Sequence, residues 1–284
     1  MTVVTNPLGT GADPNGVTDA QLRATALPMS LATAPLEHAL AAATGQIGGQ
    51  SAVSSFGAIS NAGSGITNVN MWQPQIAWNL PAAPVGIEYK SSSASDGVGG
   101  TGARKILVIG VGPGFVQQLE TVTMNGTTVV ASTLTWMAIN VMVVFDDPAT
   151  GFGSAKSNVG DISANITGAG LLQGSIAAGR SVSLHGRYTV PAGFTWLINN
   201  FLFIGNKAGS AASSYSLEAI TVSANGLLVY GIPVTFQNGI PGVITLPLTP
   251  VAVAEKNTLM FRVASVSVAG LDLCSGVTGL LVAN

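Results

Sequence analysis

Charge is what this sequence has least of. Asp, Glu, Lys and Arg make up 8% of its 284 residues, where an ordinary soluble domain carries about 25%, and the mean hydropathy is +0.50. So few charges protect a free monomer poorly against association. The composition therefore favours a chain covered by copies of itself or by a larger structure; the alternative is a Thr/Ser/Gly-rich sandwich whose surface is polar without being charged. The ten cationic residues are scattered and the formal charge is −2, which leaves no basic footprint and no expected direct contact with nucleic acid. Cysteine is almost missing. Cys274 stands alone, which excludes an intramolecular disulfide and a cysteine metal site and suits a small buried hydrophobe.

Met1 to Thr10 shows no basic stretch followed by an apolar one, so no signal peptide is expected. Membrane helices are not expected either. Thr121 to Phe145 has no charge and is long enough to span, but it contains Asn125-Gly126, is dense in Thr and Val, and holds Asn140. The uncharged run Ala219 to Ala254 is broken by Asn225-Gly226, Gly231-Ile232-Pro233 and Asn238-Gly239, which punctuate strands.

What is present is strand sequence. Glu120 to Met124 alternates polar and apolar side chains, Thr127 to Val130 resumes after Asn125-Gly126, and an Asn-Gly pair so placed predicts a type I′ hairpin. Strands are expected at Ile87 to Ser92, Lys105 to Val111, Gln118 to Met124, Thr127 to Ser132, Leu134 to Phe145 and Asp161 to Ile166. A second series covers Ser181 to Val190, Thr195 to Ile204, Ser216 to Ala224, Leu227 to Val234, Gly242 to Leu248, Thr258 to Ala264 and Gly279 to Val282. Short strands at such intervals describe an all-β sandwich or barrel. Val141, Val143 and Phe145 are expected in its core. Ile106 to Gly110 is similar to Phe201 to Gly205, and Thr121-Val122-Thr123 to Thr221-Val222-Ser223, as two related halves, 87–170 and 171–284, would be.

Residues 1–86 read as an extended amino-terminal arm. Asp13, Asp19, Arg23 and Glu37 are its only charges, and a short helix is expected over Pro35 to Thr44, with Leu36, Leu40 and Ala43 on one side. Gly45 to Ile66 has little apolar bulk and cannot offset its ordering entropy unaided. An arm laid over a neighbouring subunit answers this, as does one folded back on its own domain. Trp72 and Trp78, near Pro81 and Pro84, suit a segment pinned into a groove or an edge strand of the core. With Leu36 and Leu40 they are the expected partner-docking residues.

No catalytic, cofactor-binding or metal residue is expected, and the chain is not read as an enzyme. Ile106 to Gly114 looks like a dinucleotide loop, but Phe115 stands where the third glycine belongs and a strand, not a helix, follows. Asp146-Asp147 and Asp161 suggest a carboxylate pair or a calcium site, yet adjacent aspartates of a strand point to opposite sides. His185 shares strand parity with Ser183 and Arg187 and reads as a polar-face residue. His38 has no metal-ligand spacing to any other residue.

Ser91-Ser92-Ser93-Ala94-Ser95-Asp96, Gly100-Thr101-Gly102-Ala103-Arg104, Glu120 to Thr127, and Ser157-Asn158-Val159-Gly160-Asp161-Ile162 resemble a pattern in structural proteins of tailed bacteriophages, of the head-decoration, head-fibre or tail-fibre kind. The resemblance covers about residues 87–166 and consists of scaffold residues. It implies a jelly-roll-like β-sandwich that acts as a trimer or other oligomer on the virion. The expectation is a capsid decoration (cement) protein, made in the host cytoplasm and bound to the major capsid protein on the capsid exterior. A tail or fibre protein that recognises a host-surface glycan is the alternative, and an enzyme acting on polysaccharide a third.

Overall fold

Alternation along two strands sets the first half of the fold. In Lys105–Val111, Ile106 and Val108 are buried while Leu107 and Ile109 are only partly covered; in Gln117–Thr123, Glu120 and Val122 are buried between exposed Leu119, Thr121 and Thr123. Period-2 burial of this kind places one sheet face on a core. A computed structural model of the chain describes residues 47–145, 155–207, 214–224, 228–236, 242–267 and 269–284. Its strands lie in the unit Gly49–Asn284. The expected helix over residues 35–44, with Leu36, His38 and Leu40, lies outside the described residues, as do Asp146 and Asp147.

In chain order the strands are β1 (Gln50–Ala62), β2 (Val69–Asn70), β3 (Val85–Ser91), β4 (Lys105–Val111), β5 (Gln117–Thr123), β6 (Val130–Trp136), β7 (Ala138–Phe145) and β8 (Ile162–Ile166). They continue as β9 (Leu172–Ile176), β10 (Arg187–Thr189), β11 (Phe194–Lys207), β12 (Tyr215–Val222), β13 (Leu228–Phe236), β14 (Gly242–Val253), β15 (Thr258–Val266) and β16 (Leu271–Ala283). The fold is all-β, as expected, and it forms two sandwiches. In the first, sheet β5-β4-β7 faces sheet β6-β3-β8-β9 across a core of Tyr89, Ile106, Val108, Trp136, Met142 and Ile162. In the second, β1-β16-β11-β14 faces β10-β15-β12-β13 across Trp196, Phe201, Phe203, Phe261 and Leu273. Phe261 meets Phe201 and Phe203 edge to face at 6.1 and 5.5 Å, the geometry aromatic quadrupoles prefer.

Three expectations change. The arm does not extend to residue 86, because Gln50–Ala62 is a full strand paired antiparallel to β16 over its length. Ser55, Gly57, Ile59 and Ala62 are its inward residues, of which only Ile59 is a large apolar side chain; a Cβ on Gly57 would collide with the Met71 backbone. The second sandwich therefore begins before the boundary at 87.

Asn125-Gly126 does not close a hairpin. β5 pairs with β4 and β6 with β3, so the turn carries the chain from one sheet of the sandwich to the other. Gly126 has φ 59 and Asn125 has no positive φ, whereas a type I′ turn needs both. The edges of β5 and β6 are joined through buried Glu120, whose carboxylate accepts Thr133 N–H at 2.6 Å and the Thr133 and Ser132 hydroxyls at 2.8 and 2.6 Å.

In β7 Ala138 and Ile139 are buried before the bulge and Met142 and Val144 after it, while Val141, Val143 and Phe145 face outward. A bulge inverts the phase: Ile109 pairs with Val141 but Gly110 with Ile139, leaving Asn140 as the extra residue. Only glycine fits at 110, where a Cβ would strike the Ala138 carbonyl.

Candidate functional site

The bulge aims Asn140 at the second sandwich. Its Nδ2 donates to Thr189 C=O at 3.0 Å and its Oδ1 accepts Thr189 N–H at 2.8 Å. Beside it, Ser183 N–H donates to Met142 C=O and Met142 N–H to Ser183 Oγ, each at 2.8 Å. The segment Ser183 to Arg187 thus runs between the two sandwiches. Ser183, His185 and Arg187 do share a face, but all three are buried, at 6%, 2% and 1% exposure; the polar-face reading of His185 is corrected.

Trp72 and Trp78 meet this segment. The Arg187 guanidinium lies 4.8 Å from the Trp72 ring centroid and 4.6 Å from that of Trp78, a double cation–π contact, and donates from Nη2 to Gln173 C=O. Trp78 Nε1 donates to Gln173 Oε1 at 2.8 Å and Trp72 Nε1 to Ile76 C=O at 2.8 Å. Burial lowers the Arg187 pKa to about 9, which leaves it cationic at neutral pH. Burial first, then the neighbouring Arg187 charge, holds His185 well below its usual range, so its ring is neutral and its Nε2 accepts Ser175 N–H at 2.8 Å. Both tryptophans are buried within the chain, at 0% and 4% exposure. They are not available to dock a partner, because they cover an internal cation.

The resemblance residues converge elsewhere, on one carboxylate. Asp96 is fully buried. Its Oδ1 accepts Ala103 N–H and Val159 N–H, both at 2.8 Å, and its Oδ2 accepts Gly160 N–H at 2.8 Å and Ser91 Oγ–H at 2.5 Å. Its backbone carbonyl accepts Gly126 N–H. A Cβ at Gly102 would fall on Asp96 Oδ1, which accounts for glycine there. This knot ties the β3–β4 loop, the loop before β8 and the turn at Gly126 together and exposes no reactive group.

What the molecule does present is the outward face of β5-β4-β7. Leu107, Ile109, Leu119, Val141, Val143 and Phe145 share it through the pairs Ile109 with Leu119 and Val141, and Leu107 with Val143. Leu119 is 65% exposed. Lys105 is the one charge on this face. Next to it lies a groove of about 430 Å³, walled by Ile109, Gln117 and Val141 on one side and by Ala52 to Phe56 of β1 on the other. Phe56 is 45% exposed at its rim. β4 and β7 read as nearly continuous apolar runs, the signature of strands meant to be covered on both faces, and that signal was present in the sequence. Among the described residues no group of three or more His, Cys, Asp and Glu side chains gathers as for a metal ion, and no helix is long and apolar enough to cross a membrane.

No protein family and no curated protein matches the chain. Among solved structures it is similar to the VP2 subviral particle of infectious bursal disease virus, at 12% identity over 82% of this chain and 72% of that one, with a TM-score of 0.25. The Gx strain of the same virus is similar at 13% identity, with the same coverage and TM-score. Likenesses of this size carry no weight for function.

Proposed function

We propose that this chain is a structural protein of a virus particle, of the capsid-decoration kind, with an adhesive mechanism and no catalytic step. The observation that carries this reading is the outward face of β5-β4-β7, where Leu107, Ile109, Leu119, Val141, Val143 and Phe145 lie among the uncharged Gln117, Thr121 and Thr123 with a single charge, Lys105, on a chain that has 8% charged residues. A contiguous apolar face costs free energy in water until another surface covers it. The resemblance to tailed-bacteriophage virion proteins supports the same reading, since its residues build the Asp96 knot that holds this sandwich rigid. In this role the partner is the major capsid protein on the capsid exterior. Copies of the chain associate as a trimer, and the contact reinforces the shell against the pressure of packaged DNA.

The test is sedimentation of the purified full chain with undecorated heads of the virus that carries its gene. Saturable binding and a higher temperature of DNA release are expected. Absence of head binding, with binding to host cells or to a glycan array, would overturn this reading in favour of the tail or fibre alternative.

A further inference from the structure

Two basic side chains of the second sandwich close the edge of the first. β9 is the last strand of its sheet, and Gln173 and Ser175, two residues apart, turn backbone groups to its open side. What meets them is not a strand. Ser175 N–H donates to His185 Nε2 at 2.8 Å, Ser175 C=O lies 3.1 Å from the same nitrogen, and Gln173 C=O accepts from Arg187 Nη2. The main chain of both basic residues belongs to the second sandwich: His185 bridges to Gly57 of β1, Gly186 C=O accepts Phe261 N–H of β15 at 2.7 Å, and Arg187 opens β10. Each side chain therefore reaches across the junction. The bond from Ser175 N–H holds only while His185 Nε2 carries no proton.

A proton on Nε2 turns that acceptor into a donor facing another donor. The ring then bears a charge beside the Arg187 guanidinium, where both residues are buried, and burial and that neighbour each oppose it. Ser175 C=O is the partner it gains, and it offsets the penalty only in part. The surrounding elements supply no carboxylate: β1, β7, β9 and residues 71–80 and 181–186 contain no Asp, Glu, Lys or Arg. β10 adds Arg187 itself and Tyr188, a phenol that burial raises to about 12 and so keeps neutral; β15 adds Arg262, which is paired with Glu218 at 2.5 Å. A histidine outside a fold takes its proton at about pH 6.5, and this one, in the closed junction, only at lower pH. The closed junction therefore loses nothing above that value and weakens about tenfold for each pH unit below it, until the buried ring itself titrates. None of the hydrogen bonds at stake belongs to the Asp96 knot or to a strand ladder of either sandwich.

We infer that His185 is an acid-sensitive latch between the two sandwiches, whose protonation in mild acid frees the edge of β9 and parts them while each keeps its own core. The latch lies within one chain and stands apart from the assembly role proposed above. The test is native-state hydrogen exchange of the full chain, followed by NMR from about pH 7.5 to about pH 5.5 and expressed as protection relative to an unfolded amide at the same pH. Protection of Ser175 N–H should fall about tenfold over the last pH unit and end at no more than about a tenth of the protection at Val108 and Phe203 in the two cores. His185→Gln, whose amide oxygen stands in for Nε2 and takes no proton, should abolish the pH slope. His38→Gln, at the other histidine of the chain, should keep it, and that variant decides the matter alone where His185→Gln fails to fold. Flat protection in the parent, or a slope that persists in His185→Gln or vanishes in His38→Gln, would overturn the inference. So would Ser175 protection equal to that of the cores at the acid end, because β9 would then open only by global unfolding.

Discussion

Asp96 draws its four hydrogen bonds from the end of β3, its own β3–β4 loop and the loop before β8, so its carboxylate holds together segments up to 64 residues apart in sequence. Bonds from N–H groups to an ionised acceptor are stronger than neutral ones, and each orphaned buried N–H costs about 1 to 3 kcal/mol. Asp96→Asn puts an NH₂ group where an acceptor is required. It should destabilise the fold by about 2 to 4 kcal/mol, read as a fall in the urea midpoint at unchanged m-value. A loss below about 0.5 kcal/mol would show that the loops hold without the carboxylate. The resemblance residues were visible in the sequence as separate words; that they close on one side chain was not, because hydrogen bonds between distant loops leave no periodicity.

Strands were legible where alternation is unbroken and lost where small residues or bulges intervene. Lys105–Val111 was placed at its observed limits. Gln50–Ala62 was missed because, Ile59 apart, its inward positions carry Ser55, Gly57 and Ala62, and a Cβ at Gly57 would meet Met71 and Gly186. In β7 both faces are apolar, so composition could not tell inside from outside, and the bulge at Asn140 reversed the phase. The reversal has a measurable consequence. Met142→Ala should cost about 2 to 5 kcal/mol by leaving a cavity, whereas Val141→Ala should cost under about 1 kcal/mol in the isolated chain. Equal losses in chemical denaturation would return Val141 to the core. The groove was illegible for a related reason: it exists only once β1 is a strand and Val141 faces outward.

The two sandwiches share a third core. Val111, Phe115 and Met137 of the first and Ile220 and Met260 of the second cluster with Trp72 and Trp78, and the Arg187 cation lies between those two rings. Asn140 and Thr189 add a pair of hydrogen bonds across the same junction. Domains joined by so buried a contact unfold together, because separating them exposes an apolar cluster and strands a guanidinium. Calorimetry of the full chain should therefore show one transition for residues 49–284. Trp72→Ala removes one face of the cation site and opens a cavity, at a cost of about 3 to 5 kcal/mol. That loss falls on the junction and leaves the Asp96 knot and the Phe201, Phe203 and Phe261 cluster untouched. Each sandwich keeps its own core, so the variant should melt in two resolved steps, the first well below the parent temperature. A single step displaced downward would mean that the sandwiches are coupled through strand Gln50–Ala62 and the Ser183 to Arg187 segment alone, and that the tryptophan pair supplies stability without cooperativity.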